Sequence, residues 1–185
     1  MTKRCLIVID LLNDFLDTME AERRARLIRN TNELIGAFRG AGFPIIWVRQ
    51  AFKADLSDAF AEMREKCVSI TIEGTRGAQI HDDLDRQARD RVIVKKRYSA
   101  FFGTNLDITL KEIGSDELVL SGVNTHACIR MAAIDAYQRD LKVILATDCI
   151  DSYDEEHARV SLAYMAGKIA HPMTNAEIEA TLRTP

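Results

Sequence analysis

Short apolar runs alternate with helical patterns along most of the chain. The runs are rich in valine, isoleucine and leucine and lack the strict apolar–polar alternation of a strand with one solvent face. This pattern is typical of parallel strands that are covered on both sides. The runs predict five buried strands and a weaker sixth, at 5–9, 45–48, 92–94, 118–120, 143–145 and 168–170.

Helical periodicity lies between most of these runs. After the first run, apolar positions recur at the spacing that buries one face of a helix, at Leu27, Thr31, Leu34, Ile35 and Phe38. Two Ser/Thr-x-x-Glu capping boxes, at 152–155 and 174–177, each predict a helix start. The alternation predicts an α/β fold: a doubly wound, Rossmann-like, mostly parallel six-stranded sheet with helices on both faces, in one domain over 1–185.

The stretch 51–91 departs from this regularity. It is charged and irregular, and it carries Gly74 and Gly77 around Thr75 and Arg76. Since a long excursion from a compact domain is often functional, we expect a lid or a pocket wall.

Composition narrows the classes of partner. Apolar residues make up 47% and charged residues 29% of the chain, with a net charge of −3 and dispersed basic residues. No basic cluster marks a nucleic-acid surface, and no apolar run approaches the roughly 20 residues of a membrane helix. We therefore expect no nucleic-acid or membrane partner. The opening residues are too short for a signal-peptide core, which predicts a cytoplasmic protein.

The four cysteines form no CxxC pair, so free thiols in a reducing compartment are expected. Cys128 follows a strand-to-helix turn and would lie in the first turn of a helix over 127–137, where the helix dipole and free amides stabilise a thiolate. It is a candidate nucleophile, and a buried structural thiol is the alternative. Cys5, Cys67 and Cys149 are interpreted as packing or surface residues.

Other polar candidates follow predicted strands, where α/β sheets bind ligands. Asp10 is either a general base or a turn residue that caps the backbone of Asn13 or Asp14. Lys95 is either an electrostatic partner or a solvated lysine. Asp148 is interpreted as structural.

Cofactor motifs are missing from the sequence. The histidines form no HxH or HExxH pattern, so no metal site is predicted. His126 lies two residues from Cys128, a spacing that does not place two side chains on one helix face. No Walker A or dinucleotide fingerprint is present, and we expect no cofactor.

Three ordered blocks resemble signatures of the isochorismatase-like cysteine hydrolases. The first is the Val-Ile-Asp and Asn-Asp-Phe of 8–15. The second, at 95–106, resembles K-x-R-Y-S-A-F-x-G-T-x-L, and the third, at 122–128, resembles G-V-x-T-x-x-C. A D-x-x-x-S at 148–152 follows them. The resemblance covers the chain from residue 4 to its C-terminus.

The resemblance implies a catalytic triad of Asp10, Lys95 and Cys128, with Cys128 as nucleophile. Lys95 is selected over Lys96 because it stands two residues before the arginine of R-Y-S. The family pattern also implies a cis peptide at 123–124 and an oxyanion hole from the backbone amides of Asn124 and Cys128. The candidate substrate-binding side chains are Phe15, Tyr98, Phe101 and Phe102.

Two departures from family patterns narrow the reaction that the resemblance implies. True isochorismatases carry glycine at the position of Cys128, so the cysteine points to hydrolysis of a C–N bond through a thioester. Nicotinamidases have histidine metal ligands after the second strand, where 47–52 holds none. The resemblance thus implies a metal-independent homo-oligomer that acts on a small amide, carbamoyl or ureido substrate. A vinyl-ether hydrolase and a non-catalytic binding protein are the alternatives.

Overall fold

A six-stranded, fully parallel sheet is the centre of the computed structural model, which describes residues 3–182. The strands are β1 (Arg4–Ile9), β2 (Ile45–Gln50), β3 (Arg91–Lys95), β4 (Glu117–Val123), β5 (Lys142–Asp151) and β6 (His171–Met173). Their order in the sheet is β3-β2-β1-β4-β5-β6. Because the chain winds outward in both directions from β1 and β4, a crevice forms at the carboxyl ends of these two strands.

Helices cover both faces of the sheet. They are α1 (Asn13–Leu16), α2 (Ala21–Gly40), α3 (Ala61–Glu65), α4 (Leu106–Ile113), α5 (Arg130–Tyr137), α6 (Glu155–Met165) and α7 (Asn175–Leu182). A π-helical turn, Thr125–Ile129, leads into α5. Within 3–182, no helix has both the length and the apolar character that a membrane span needs.

Two apolar cores lie on opposite sides of the sheet. Cys5, Ile7 and Ile9 of β1 pack into the core with α4, α5 and α6, whereas Leu6 and Val8 pack into the core with α2 and α7. Successive side chains of a strand point to opposite faces, so a strand buried on both faces is apolar throughout. The predicted doubly wound α/β fold is confirmed, with every strand parallel.

The sixth strand was predicted in the wrong place. Residues 168–170 form a tight turn after α6, in which Gly167 N donates to Ala170 O at 3.1 Å. The strand begins at His171 and pairs with β5. The other five predicted strands are confirmed, and each extends beyond its apolar run.

One of the two predicted capping boxes is confirmed. Glu177 Oε2 accepts from Thr174 N at 2.7 Å, and Glu177 N donates to Thr174 Oγ1 at 3.3 Å. The box at 152–155 is wrong, because α6 begins later and Asp154 caps it by accepting from His157 N at 2.9 Å.

The excursion 51–91 returns over the segment that follows β1. Asn13 N donates to Gln79 O and Asp14 N donates to Gly77 O, both at 3.0 Å. A Cβ at Gly77 would lie 2.0 Å from Asp14 Oδ1, so a larger residue there would displace the Asp14 carboxylate. The excursion is thereby fixed at the carboxyl edge of the sheet.

Candidate active site

Three elements bring Asp10, Lys95 and Cys128 into contact. Asp10 follows β1, Lys95 ends β3, and Cys128 lies in the π-helical turn after β4. Lys95 Nζ is 2.7 Å from Asp10 Oδ2 and 3.3 Å from Cys128 Sγ. The lysine therefore joins the carboxylate to the thiol.

This cluster is almost closed to solvent. Lys95 is 0%, Asp10 1% and Cys128 5% exposed. A buried ion pair is tolerated when further hydrogen bonds satisfy its charges. Gln50 N donates to Asp10 Oδ1 at 2.7 Å, and Lys95 Nζ donates to Arg97 O at 3.1 Å.

The backbone of Asp10 is left-handed, with φ 55. A non-glycine residue in this region costs about 1–2 kcal/mol, and such strain clusters at functional sites. The alternative in which Asp10 caps the backbone of Asn13 or Asp14 is wrong, because both of those amides donate to carbonyls of the excursion. The carboxylate of Asp10 instead faces Lys95.

The resting sulfur of Cys128 is a thiol. Burial raises its pKa to about 12, and the negative charge of Asp10 adds to this effect while Lys95 opposes it. The expectation of a dipole-stabilised thiolate is therefore wrong for the unliganded site. Cys128 is buried in its π-helical turn, and desolvation is the largest contribution to its pKa.

Lys95 stays protonated for the opposite reason. Burial lowers its pKa, but the negative charge of Asp10 and the hydrogen bonds to Asp10 and Cys128 more than offset this, and the pKa lies above its ordinary value. The resting cluster is thus an ion pair beside a neutral thiol.

The turn before Cys128 is built on a close approach of two strands. The Val123–Asn124 peptide is cis, as expected from the family pattern. Gly122 has φ 122, and a Cβ there would lie 1.8 Å from Ile9 O. Only glycine lets β4 pass β1 at this point. The oxyanion hole from the amides of Asn124 and Cys128 stays a prediction.

A cavity of about 420 Å³ opens at the carboxyl ends of β1, β4 and β5. The segment after β1 supplies Phe15 and Met19, the end of β4 leads to Asn124, and the segment after β5 supplies Tyr153. Ile70 of the excursion lines the same space, as a pocket wall would. A cavity of this volume accommodates a small organic molecule.

The four candidate substrate-binding aromatics lie in different environments. Phe15 lines the cavity. Tyr98 packs on Phe60 with ring centroids 4.9 Å apart, and burial raises its pKa. Phe101 is buried in a core, and Phe102 is 65% exposed. Their roles in binding stay predictions.

The remaining sequence candidates occupy structural positions. Cys5 and Cys149 are buried in the two cores and Cys67 is exposed, which confirms their interpretation as packing and surface residues. Asp148 accepts from Asn175 N at 2.8 Å at the start of α7, which confirms a structural role.

Sequence reasoning assigned no role to two contributors to the site. Gln50 holds Asp10 through its backbone amide, and its side-chain Nε2 is buried without a hydrogen-bond partner among residues 3–182. Arg23 lines the cavity and pairs with Asp151, 128 residues away. No local pattern signals a pair so distant in sequence. In the part of the chain that the structure describes, no group of three or more His, Cys, Asp or Glu side chains is arranged to hold a metal ion.

The chain is similar to known proteins along most of its length. The Isochorismatase domain model matches residues 4–177. A probable inactive nicotinamidase of Arabidopsis thaliana is 35% identical over 153 residues, which cover 77% of this chain and 78% of that protein.

Solved structures share the whole architecture. An isochorismatase family protein from Desulfovibrio vulgaris aligns over 100% of both chains with a TM-score of 0.89 at 27% identity. N-carbamoylsarcosine amidase from Thermoplasma acidophilum aligns over 96% of this chain and 99% of its own, with a TM-score of 0.81 at 27% identity.

Proposed function

The chain belongs to the isochorismatase family, and we propose that it is a cysteine hydrolase that cleaves the C–N bond of a small amide, carbamoyl or ureido substrate. The observation that carries the proposal is the buried contact of Lys95 with both Asp10 and Cys128. A nucleophile, a base and a cation that restrains the base are the parts that covalent amide hydrolysis needs. The similarity to an N-carbamoylsarcosine amidase supports this class of substrate.

Acylation begins from the neutral thiol. Asp10 takes the proton of Cys128, and the sulfur attacks the carbonyl carbon of the bound amide. The backbone amides of Asn124 and Cys128 stabilise the resulting oxyanion. As the C–N bond breaks, Asp10 donates its proton to the leaving nitrogen, so that ammonia or an amine departs and a thioester remains on Cys128.

In deacylation, water takes the place of the leaving nitrogen, and Asp10 again accepts and then donates a proton. Asp10 takes a proton from water, the hydroxide attacks the thioester carbonyl, and the carboxylic acid is released. The sulfur leaves as a thiolate and regains a proton from Asp10. Lys95 stays paired with Asp10 through these steps and offsets the negative charge that develops on sulfur.

Screening for ammonia release from amides, ureas and carbamoyl compounds tests the proposal. We expect Cys128→Ala to abolish turnover of any substrate found, and the matched variant Cys67→Ala, at an exposed thiol, to retain it. Full activity in Cys128→Ala would remove the nucleophile. Isochorismate cleavage with no amide turned over would favour the vinyl-ether alternative, and no reaction at all would favour a binding protein.

The remaining expectations come from the sequence and from its family resemblance. We propose a small-molecule amide as the partner, a cytoplasmic location and a homo-oligomeric assembly. Light scattering on the purified protein measures the assembly directly, and a mass of one chain, 20.8 kDa, would contradict it.

A further inference from the structure

We propose that the cavity beside Asn124 selects uncharged amides with an apolar body and rejects amides that carry a carboxylate. This inference rests on the proposed function and adds the class of substrate. It separates neutral carboxamides and ureas from anionic N-carbamoyl acids and maleamate-type acids.

The position of the cavity connects it to the reactive cluster. It lies at the carboxyl ends of β1 and β4, the point at which the strand order reverses. Asn124 lines it and directly precedes the π-helical turn that contains Cys128. A molecule in the cavity therefore contacts the turn that carries the nucleophile.

Apolar side chains supply much of the cavity wall. Phe15 and Met19 come from the segment after β1, and Ile70 comes from the excursion. Val123 and Tyr153 complete this surface. Such walls gain free energy by covering hydrocarbon and offer little to a carboxylate.

The one cationic side chain among the described residues lining this cavity is already neutralised. Arg23 Nε donates to Asp151 Oδ2 at 2.8 Å, and its Nη2 donates to the other carboxylate oxygen of Asp151 and to Ser152 O. Its Nη1 donates to Glu155 Oε1 at 3.1 Å. Two carboxylates thus engage a guanidinium that could otherwise bind an anionic substrate.

The backbone amides at the start of α2 are also engaged, by a carboxylate of the chain itself. Free amides at a helix start bind anions, but the carboxylate of Glu20 accepts from Glu22 N and Arg23 N, both at 2.9 Å. These bonds lower the pKa of Glu20, so it is ionised at neutral pH. Asp14, which accepts from Thr71 N at 2.6 Å, adds a second lining carboxylate.

A carboxylate ligand would therefore lose its hydration beside two anions, Asp14 and Glu20, and gain no free cation. Like charges a few ångströms apart repel, and the repulsion is stronger in a partly closed site than in bulk water. An uncharged ligand of the same shape avoids this cost.

Binding of valeramide and glutaramate to Cys128→Ala tests the inference, because the two ligands differ only in a terminal methyl against a carboxylate. The variant cannot form the proposed thioester, so ligand-observed NMR measures affinity apart from turnover. We expect glutaramate to bind about tenfold or more weakly than valeramide at low salt. The difference should shrink as the Debye length falls from about 30 Å at 0.01 M to about 3 Å at 1 M ionic strength.

Glu20→Gln in the same background links the effect to the cavity. The glutamine oxygen can still cap α2, and we expect the discrimination to fall about threefold. Glu33→Gln is the matched control, since Glu33 is exposed on the same helix about 20 Å further along. It should leave the discrimination unchanged.

Three results would overturn the inference: equal or tighter binding of glutaramate, no binding of either ligand, and equal effects of the two glutamine variants. None of them bears on the proposed function, which fails only if the wild-type chain releases ammonia from no amide or if Cys128→Ala retains that activity.

Discussion

At the scale of single residues, Lys95 links the other two side chains of the buried cluster. Its ammonium lies between a carboxylate and a thiol, with no exposure to water. The ammonium supplies the opposite charge that a buried carboxylate needs as a partner. The base and its cation are therefore in contact before substrate arrives.

Removing one partner of this pair tests how much the pair contributes to the free energy of unfolding. We expect Lys95→Met to lower the free energy of unfolding by about 3–5 kcal/mol, because it leaves the charge of Asp10 buried and unpaired. Asp10→Asn combined with Lys95→Met should recover a large part of that loss. Urea denaturation of the four proteins measures the cycle, and a Lys95→Met protein as stable as the wild type would contradict the buried pair.

The raised pKa of Cys128 predicts the pH at which its thiolate forms. Burial keeps the thiol protonated well above the ordinary range, with a pKa of about 12. The difference in thiolate ultraviolet absorbance between wild type and Cys128→Ala should be absent at neutral pH and appear only in strongly alkaline solution. A difference that titrates at or below the ordinary thiol range, about 8.5, would show a stabilised thiolate instead.

The raised pKa of Cys128 also makes the stability of the protein depend on pH. Because the folded-state pKa of Cys128 lies above the unfolded-state value, the thiol favours folding at all pH values below the unfolded pKa. That contribution is lost as the pH rises towards about 12.

At the scale of elements, the approach of β4 to β1 positions the turn that carries Cys128. Gly122 meets the backbone of Ile9 so closely that no side chain fits between them. A substitution there must move one of the two strands, and both strands end at the site.

Gly122→Ala should therefore destabilise the protein strongly, by about 3 kcal/mol or more, and lower activity by displacing the turn. Gly36→Ala is the matched control, since a Cβ at this exposed helical position meets nothing within 4 Å. It should be neutral or stabilise by up to about 1 kcal/mol. Thermal denaturation and ammonia release measure both effects, and equal behaviour of the two variants would contradict the account of Gly122.

Elements were predictable where local rules decide them. Strands buried on both faces are apolar throughout, so their runs indicated β1 to β5 directly, and the box at 174–177 correctly predicted α7. The sixth strand was misplaced because the apolar residues at 168–170 form a turn after α6. The start of α6 was misplaced because Asp154 caps the helix in place of the predicted box at 152–155.

At the scale of the whole molecule, the sheet order explains why residues far apart in sequence share one site. Strand ends in the sequence indicated Asp10, Lys95 and Cys128 as separate candidates, and the family pattern joined them. Their contact, the π-helical turn and the pairing of Arg23 with Asp151 depend on tertiary packing, which a local pattern does not record. The resting protonation state of Cys128 was mispredicted for the same reason, since it depends on burial.

The most direct test of the central claim is mass spectrometry of the wild-type protein, quenched during turnover of an amide that it hydrolyses. We expect an acyl group on the peptide that contains Cys128, with the mass of the substrate acid minus water, and no such adduct in Cys128→Ala. An acyl group on another residue, or full activity in Cys128→Ala, would contradict it.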